Sequence, residues 1–477
     1  MAWNPQRVQR RPKTALEVRT RGRGRRSKSA DLAAALLAAA ALLARPGWTA
    51  APPLEAKTLE RLSDPVIVPT AMLAGLPDRA TARCRLYAAR DGAVEPIPFQ
   101  FDARDRNGEL VLSDADFTFD DDDELVFMAR DTGDRVNAAA LPAAADGAVE
   151  LVVTDRAADA RGWAYLVHFP GEPPPRSPVR YARYDPVRQQ AHALLYEADY
   201  SHDRSNFLAE VRITPAAGGT GEPLIRRLVM RIHPVFSLLL ATWGPTFTEE
   251  SFSVVPDGIK NGPVRAVRRV REALDLGRFF PEVPSGTVTT YYYFNSFTTP
   301  STFSIPWLPL KALRDFRFES VDAFDAGTDD VRYWDAENPQ GIALGAGEQP
   351  AGAERDHDWW VVSGRRGTLL HALHIPAQWR VWGVARGIVF RPSEGADGGV
   401  GYSLLGMTNL REPGTYALDS ALVVLPHPYR PGDEVEALAM FREPLETEAR
   451  SLALAAEGGR RVTPRSAPGS GGRSPAG

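Results

Sequence analysis

The stretch VELVVTDRAADARGWAYLVHF, residues 149–169, shows the pattern that decides the fold. Two short apolar runs, Val149–Val153 and Trp163–Phe169, flank a polar segment that contains Asp, Arg and Gly. Apolar runs of four to eight residues bounded by turn residues are typical of β-strands, because a helix needs a longer periodic pattern. The stretch therefore predicts two antiparallel strands.

Similar runs recur on the N-terminal side of this stretch, separated by Gly, Asp and Pro. They are Val66–Val68, Ala82–Ala88, Pro96–Phe101 and Glu124–Ala129. Strands at this spacing favour a β-sandwich. The segment PGEPPPRSP, residues 170–178, ends the series, since its prolines lack a backbone donor and fix φ. We therefore predict a small β-sandwich over residues 51–175.

Residues 179–457 show the same alternation of short apolar runs and turn residues, which predicts a second β-sandwich. Its predicted strands are Leu228–His233, Val264–Glu272, Thr287–Phe294, Trp359–Val362, Thr368–His374, Arg380–Phe390, Ala421–Leu425 and Val435–Phe441. The 40 Gly and 40 Pro residues leave little room for long helices, and the best helix candidates are Leu308–Phe316 and Leu445–Glu457. Residues 458–477 are low-complexity and predict a disordered tail. The predicted fold class is all-β, with two β-sandwich domains, the second larger, and short helices only.

Residues 1–50 have the composition of a secretory signal peptide. They contain eleven Arg and Lys residues against two acidic residues, and the apolar run LAAALLAAAALL occupies residues 32–43. A bilayer span takes about 20 apolar residues, whereas a run of this length followed by small residues matches a signal peptide. We expect an exported protein, periplasmic or extracellular, without a transmembrane span in the mature chain. An uncleaved anchor and a basic cytosolic tail are the alternatives.

The remainder of the chain is acidic. The full chain carries a formal charge of −4 and residues 1–50 carry +9, which leaves −13 on residues 51–477. Nucleic-acid binding uses a basic surface, so this charge argues against a nucleic-acid partner. The one cysteine, Cys84, cannot form an intrachain disulfide or a cysteine-based metal site.

The densest group of carboxylates lies in IPFQFDARDRNGELVLSDADFTFDDDDELVFMARDTGDR, residues 97–135. Carboxylates at every second or third position of a turn can converge on Ca²⁺, which takes six to eight oxygen ligands. The candidate calcium ligands are Asp102, Asp105, Asn107, Asp120, Asp122 and Asp123. The EF-hand pattern is only partly met, because its first Asp falls on Ala103. The alternative is an acidic hairpin whose Asp side chains cap turns and repel edge pairing.

Two parts of this segment carry a resemblance to known proteins: PIPFQFD at residues 96–102 and DDELVFMARDTG at residues 122–133. The pattern resembles exported bacterial β-sandwich proteins, some of which sit beside carbohydrate-active enzymes. The resemblance implies a fold class and export, and it transfers no catalytic residue to this chain.

Common catalytic motifs are absent from the sequence. It contains no G-x-S-x-G, no H-E-x-x-H, no phosphate-binding loop and no dinucleotide-binding glycine pattern. His371 and His374 are close in sequence, but on a strand they face opposite sides and cannot share a metal. The sequence thus lacks the signatures of α/β-hydrolases, zinc metalloproteases, phosphate-binding-loop NTPases and dinucleotide-binding enzymes.

The residue types of a polysaccharide lyase nevertheless occur in the second region. Alternation along residues 262–271 places several arginines on one face, where guanidinium groups can bind the carboxylates of an acidic sugar. The candidate catalytic residues are Arg265, Arg269, Tyr292, Asn295 and His357. The alternative is an ordinary twisted sheet with aromatic residues paired across strands.

Trp334, with Tyr333 beside it, lies in a polar stretch and is the predicted exposed platform for a sugar ring. Together these patterns favour an exported, non-catalytic protein that binds glycan or another cell-envelope component. A carbohydrate-active enzyme of lyase type, acting on acidic glycan, and a structural envelope protein are the alternatives.

Overall fold

The computed structural model describes residues 53–201, 207–238, 241–274, 283–305, 313–324, 330–344, 351, 356–391, 399–410, 412 and 414–454. The predicted signal peptide and the predicted C-terminal tail lie outside these residues. The described residues from 53 to 454 belong to one compact unit. The division into two domains near residues 170–178 stays a prediction.

The secondary structure of the described residues is mainly β-strand. The first strands are β1 (Pro65–Pro69), β2 (Cys84–Arg90), β3 (Ala93–Pro96), β4 (Gln100–Asp102), β5 (Glu124–Met128), β6 (Gly147–Asp155), β7 (Ala160–His168), β8 (Ala182–Asp185), β9 (Gln190–Ala193), β10 (Tyr196–Tyr200), β11 (Leu208–Ile213), β12 (Pro223–Leu238), β13 (Ala241–Trp243) and β14 (Phe247–Thr248). The later strands are β15 (Phe252–Asn261), β16 (Ala266–Leu274), β17 (Val283–Tyr292), β18 (Ser296–Ile305), β19 (Leu313–Phe324), β20 (Arg332–Trp334), β21 (Ile342–Ala343), β22 (Trp359–Gly364), β23 (Gly367–His374), β24 (Ala385–Arg391), β25 (Gly399–Leu405), β26 (Gly414–Leu425) and β27 (Glu446–Leu452). The predicted all-β fold class with short helices is therefore confirmed.

In the part of the chain that the structure describes, the strands form four antiparallel sheets. A five-stranded sheet has the order β27-β6-β7-β2-β3, and a three-stranded sheet has the order β1-β5-β4. A ten-stranded sheet runs β24-β25-β19-β12-β11-β10-β9-β8, with β13 and β14 also paired to β12. A nine-stranded sheet runs β15-β16-β17-β18-β26-β23-β22-β20-β21. The stretch at residues 149–169 forms the β6–β7 pair, in which Val152 lies opposite Trp163.

Strand β5 packs on both sides because successive side chains of a strand point to opposite faces. Leu125 and Phe127 belong to the core between the three-stranded and five-stranded sheets. Val126 and Met128 belong to the large core of the chain. The motif ELVFM thus connects the N-terminal strands with the larger sheets.

The large core lies between the ten-stranded and the nine-stranded sheets. Tyr196 and Leu404 reach it from the former, and Tyr292 and Leu422 reach it from the latter. Burying a large apolar side chain contributes roughly 1.5–3 kcal/mol, so this interface holds the two sheets face to face.

The helices are short, as predicted, but they occur elsewhere. Short 3₁₀ segments occupy Thr70–Leu73, Thr81–Arg83, Ala129–Asp131, Ala138–Ala140, Pro215–Ala217, Glu249–Ser251 and Met407–Asn409. The described residues also include two α-helices, α1 (Ala377–Val381) and α2 (Asp433–Arg442). The strand predicted at Val435–Phe441 is therefore wrong: three acidic residues stand in the first turn of α2 and Arg442 in the last, which suits a helix dipole. The described part contains no helix that is long and apolar enough to cross a membrane.

The predicted helix at Leu445–Glu457 is also wrong in its described part. Residues Glu446–Leu452 form β27, which pairs with β6 along its whole length. The free edge of β6 favours strand pairing there, so tertiary context overrides local propensity. The predicted helix at Leu308–Phe316 falls partly outside the described residues, and its end belongs to β19.

Candidate functional site

Asp102, the first predicted calcium ligand, is fully buried at the end of β4 and contacts two cations. Lys260 Nζ lies 2.9 Å from its Oδ1, and Arg265 Nη2 lies 2.6 Å from its Oδ2. Gln100 Nε2 also donates to Oδ1, at 2.8 Å. Burial alone would raise the pKa of the Asp102 carboxyl, but the Arg265 and Lys260 charges hold that pKa below its ordinary value. Both carboxylate oxygens are therefore occupied by protein donors.

The same group ties residues 100–102 to the start of β16. Gln100 Oε1 accepts hydrogen bonds from the backbone N–H groups of Val264 and Arg265, at 3.1 and 3.0 Å. We call Gln100, Asp102, Lys260 and Arg265 the buried clasp. The clasp joins the N-terminal acidic segment to the nine-stranded sheet, which gives the QFD part of the sequence motif a structural role.

Asp105 and Asn107 form a local turn. Asp105 Oδ1 accepts the backbone N–H groups of Asn107 and Glu109, at 2.8 and 2.9 Å. These backbone bonds lower the pKa of the Asp105 carboxyl. The arrangement is that of a carboxylate that caps a turn.

The remaining predicted calcium ligands are held in a second turn. Asp123 accepts the backbone N–H groups of Arg104 and Asp120, each at 2.8 Å, and Asp120 accepts that of Asp122 at 3.0 Å. Among the described residues, no group of three or more His, Cys, Asp or Glu side chains is placed to hold a metal ion. Calcium binding therefore stays a prediction from the sequence.

The predicted lyase residues lie on opposite faces of the nine-stranded sheet. Arg265 belongs to the buried clasp, and Arg269 pairs with Asp257 at 2.7 Å. Tyr292 points instead into the large core, where it is fully buried and its hydroxyl bonds the Tyr200 hydroxyl at 2.6 Å. Alternation along strands separates the two arginines from the tyrosine.

The other two predicted lyase residues are buried at different places. Asn295 is 3% exposed, and its Nδ2 donates to Ser63 Oγ at 2.9 Å. His357 is 6% exposed, and its Nδ1 lies 4.0 Å from Asp335 Oδ2. The structure therefore does not bring the five predicted catalytic side chains together in one cleft.

Trp334 and Tyr333 do not form an exposed sugar platform. Tyr333 is fully buried and donates a hydrogen bond to Asp335. Trp334 is half-buried and packs on Tyr429, with ring centroids 5.1 Å apart. Among the described residues, the tryptophan that is exposed is Trp243, at 47%.

A different set of side chains forms a hydrogen-bonded chain inside the large core. His371 Nδ1 lies 2.9 Å from Asp322 Oδ2, and Ser420 Oγ lies 3.4 Å from His371 Nε2. Asp322 and His371 are buried, whereas Ser420 is half-buried. A carboxylate, an imidazole and a hydroxyl connected in this order form the Ser-His-Asp arrangement of nucleophilic catalysis, and the contact to the nucleophile is often longer in a ligand-free protein.

Three strands from two sheets supply this group. Asp322 lies on β19, opposite Leu228 of the core, so its side chain faces inward. His371 on β23 lies on the same face as its core neighbours Leu369 and Leu373. Ser420, on β26, pairs with Leu373 in register and lies on that face as well. The sandwich thus places the carboxylate on one sheet and the other two groups on the facing sheet.

Aromatic rings fix the orientation of the His371 imidazole. Trp360 packs against it with centroids 4.2 Å apart, and Tyr402 meets it edge-on at 5.9 Å. Asp322 Oδ1 has no hydrogen-bond partner among the described residues. The imidazole is therefore held by one carboxylate oxygen and two rings, with Nε2 directed at Ser420.

Sequence reasoning missed this group, because His371 is 49 residues from Asp322 and 49 residues from Ser420, and no local motif links them. It treated His371 only as one of two neighbouring histidines. The usable signal was the polar residue in each of three apolar strands: Asp in VDAF, His in LLHAL and Ser in DSALVV. A buried polar residue in an apolar strand needs a partner, and these three are partners for one another.

The chain matches no protein family and no curated protein. Its fold is similar to that of an α-mannosidase from Enterococcus faecalis, with a TM-score of 0.45, 10% identity, and coverage of 89% of this chain and 49% of the mannosidase. A glycosyl hydrolase family 38 protein from Enterococcus faecalis gives a TM-score of 0.43, 10% identity, and coverage of 84% and 46%. A galactose mutarotase-like protein from Clostridium acetobutylicum gives 0.32, 9% identity, and coverage of 52% and 98%. The chain thus spans about half the length of the two first proteins.

The expectation of a non-catalytic glycan- or envelope-binding protein is corrected: the structures to which this chain is similar are named as an α-mannosidase, a glycosyl hydrolase family 38 protein and a galactose mutarotase-like protein. The β-sandwich architecture is compatible with carbohydrate binding. All three TM-scores lie below 0.5, so the reaction of this chain has to be inferred from its own side chains.

Proposed function

We propose that this chain is a hydrolase of acyl esters, with Ser420 as nucleophile, His371 as general base and Asp322 as the group that orients the imidazole. The observation that carries the proposal is the hydrogen-bonded chain from Asp322 through His371 to Ser420. A hydroxyl, an imidazole and a carboxylate, hydrogen-bonded in this order, can act as nucleophile, base and orienting group.

The reaction begins when His371 Nε2 accepts the proton of the Ser420 hydroxyl while Oγ attacks the carbonyl carbon of the ester. The tetrahedral intermediate collapses, and the alkoxy leaving group departs with the proton from His371. Water, deprotonated by the same imidazole, then attacks the carbonyl carbon of the acyl-Ser420 ester. The second tetrahedral intermediate expels Ser420 Oγ, which takes the proton back from His371, and the carboxylic acid is released. Asp322 stabilises the imidazolium that forms in both steps.

The gradient of burial along the group supports this assignment of roles. Asp322 is 3% exposed and His371 is 4% exposed, which favours a strong charge-assisted hydrogen bond between them. Ser420 is half-buried and therefore nearer to solvent. Thr299 lies directly opposite Ser420 on β18, and its hydroxyl is a candidate donor to the developing oxyanion.

Export is part of the same proposal. The basic and apolar segments of residues 1–50, together with the resemblance at residues 96–133, support an exported esterase that meets its substrate outside the cytoplasm.

The test uses the full chain and a chromogenic ester, p-nitrophenyl acetate. We expect the wild-type protein to release p-nitrophenol, and Ser420→Ala to lower kcat by at least about a thousandfold. His371→Ala and Asp322→Asn have comparable effects because the three groups act as a unit. A fluorophosphonate probe phosphonylates Ser420 in the wild type, as read by mass spectrometry of the labelled peptide.

Ser403→Ala is the matched control. Ser403 is also half-buried, but it lies on β25 with its Oγ near the Gly387 carbonyl, away from His371. We expect wild-type rates and wild-type labelling for this variant. Equal rates for Ser420→Ala and Ser403→Ala, with no phosphonylated Ser420, would overturn the proposed function.

A further inference from the structure

A stripe of aromatic side chains follows the core face of the ten-stranded sheet away from Asp322. Alternation on β19 places Phe318 and Phe316 on the same face as Asp322. Phe318 lies opposite Ile232 of β12, and Phe316 lies opposite Pro234. Phe318 begins about 13 Å along the strand from Asp322, at four residues of 3.3 Å each.

The stripe continues onto the β12–β13 hairpin. Phe236 follows Pro234 by two positions on β12, just past a shift in the β12–β19 register between Val235 and Phe236, and it pairs directly with Trp243 of β13. The Phe236 and Trp243 rings are stacked, with centroids 5.6 Å apart and planes inclined by 25°. We call Phe318, Phe316, Phe236 and Trp243 the aromatic stripe.

Exposure increases along the aromatic stripe. Tyr402, which contacts both His371 and Phe318, is 6% exposed. Phe318, Phe316 and Phe236 are half-buried, and Trp243 is 47% exposed. The apolar surface therefore begins beside the catalytic histidine and ends in solvent.

The facing wall of the sandwich carries hydroxyl groups. Ser420 and Thr299 are partners in register, and Ser301 follows Thr299 on the same face of β18. Thr299 and Ser301 are half-buried. One wall thus presents ring faces, and the other presents donors and acceptors.

We propose that the aromatic stripe binds the sugar rings of a polysaccharide, and that the substrate of the Ser420 site is an ester-substituted polysaccharide. This inference rests on the proposed function for its ester chemistry. A pyranose ring has an apolar face that packs on an aromatic ring and hydroxyl edges that need hydrogen bonds. The stripe and the hydroxyl wall offer these two surfaces, and a stripe that runs from the nucleophile to solvent suits a chain of sugars.

Trp243 is the residue through which the proposal is tested, because it is exposed and its removal leaves the core intact. The probes are acetylated xylan, acetylated glucomannan and their alkali-deacetylated forms. Binding is measured by isothermal calorimetry on the Ser420→Ala protein, which does not turn the esters over. We expect Trp243→Ala to weaken binding of at least one polysaccharide about three- to tenfold, and Trp243→Phe to restore most of it.

Rates of hydrolysis of a polysaccharide and of a small ester distinguish the role of the aromatic stripe from that of the catalytic group. Trp243→Ala is expected to lower kcat/KM on the acetylated polysaccharide by a similar factor and to lower p-nitrophenyl acetate hydrolysis less, since this small ester has no sugar ring to pack on Trp243. Val187→Ala, which removes an 83% exposed apolar side chain elsewhere, is the control and changes neither quantity. A wild-type thermal midpoint for Trp243→Ala verifies that the variant is folded.

The failures of the two proposals are distinguishable. If p-nitrophenyl acetate hydrolysis depends on Ser420 but Trp243→Ala binds and deacetylates both polysaccharides like the wild type, the stripe inference is wrong and the esterase proposal stands. If binding depends on Trp243 but no ester is hydrolysed, the esterase proposal falls, and the assignment of an ester-substituted substrate falls with it.

Discussion

Replacing Asp102 by Asn is expected to destabilise the protein by about 3–5 kcal/mol, the cost of removing one member of a buried ion pair. The amide keeps approximately the volume of the carboxylate, removes its charge and replaces one acceptor oxygen by an NH₂ donor. Lys260 and Arg265, whose side chains are 5% and 3% exposed, then lose the anion that they share. Arg265 retains Glu124 Oε2 at 3.2 Å, which compensates for part of the loss and places the expected value at the lower end.

Urea unfolding followed by tryptophan fluorescence measures this change, and Asp122→Asn is the matched control. Asp122 lies in the same acidic segment and undergoes the same chemical change, but it is exposed. Its substitution is expected to change the free energy of unfolding by no more than about 0.5 kcal/mol. Equal unfolding curves for the two variants would refute the claim that the buried clasp joins the acidic segment to the nine-stranded sheet.

The pH dependence provides an independent check of the same claim. The folded-state pKa of Asp102 lies below its unfolded value, so its stabilising contribution is complete above the unfolded pKa of about 3.9. That contribution is lost as the pH falls through the folded-state pKa. The stability difference between wild type and Asp102→Asn is therefore expected to stay constant from pH 7 to about pH 5 and to shrink below about pH 4. A difference that is already lost at about pH 6 would contradict the assignment to Asp102.

Two further predictions concern close packing. Gly133→Ala is expected to lower the free energy of unfolding by about 1–3 kcal/mol, since a Cβ at this position would lie 2.0 Å from the Ala89 carbonyl oxygen. Gly171→Ala is the control, because no atom lies within 4 Å of the added Cβ, and it is expected to change the free energy of unfolding by about 0.5 kcal/mol or less. Equal urea midpoints for these variants would contradict the close approach. Cys84 is fully buried, and burial raises the pKa of its thiol to about 12. It is expected not to react with a disulfide reagent at pH 8 in the native protein and to react fully after unfolding in guanidinium, whereas rapid labelling of the native protein would show that the thiol is accessible.

The sequence was sufficient for the fold class because strand patterns are local. The run Val149–Val153 lies within β6, the run Trp163–Phe169 lies within β7 except for Phe169, and their apolar residues line the cores on both faces of the five-stranded sheet. The sequence was insufficient to predict the secondary structure of the C-terminal elements. Val435–Phe441 is a helix and Glu446–Leu452 is a strand, the reverse of the prediction, because pairing with β6 is a long-range effect that the local pattern does not contain.

The candidate site was beyond sequence reasoning for a related reason. The arginines that alternation correctly placed on one face of β16 are paired with Asp102 and Asp257, partners that no spacing rule identifies. Asp322 meets His371 only because the ten-stranded sheet packs face to face on the nine-stranded sheet. Strand alternation predicts the face of a residue, whereas the register between two packed sheets depends on the whole core.

The buried clasp and the Asp322–His371–Ser420 group are both buried polar networks, and they differ in the exposure of the residue at which they end. Both carboxylate oxygens of Asp102 accept bonds from cations or amides, which is what a purely stabilising network requires, since each unpaired buried charge costs several kcal/mol. The hydrogen-bonded group that begins at Asp322 ends on the half-buried hydroxyl of Ser420. A half-buried hydroxyl at the end of the network adds nothing to stability, whereas a nucleophile has to be accessible to its substrate. This difference is why we assign stability to the clasp and chemistry to Ser420.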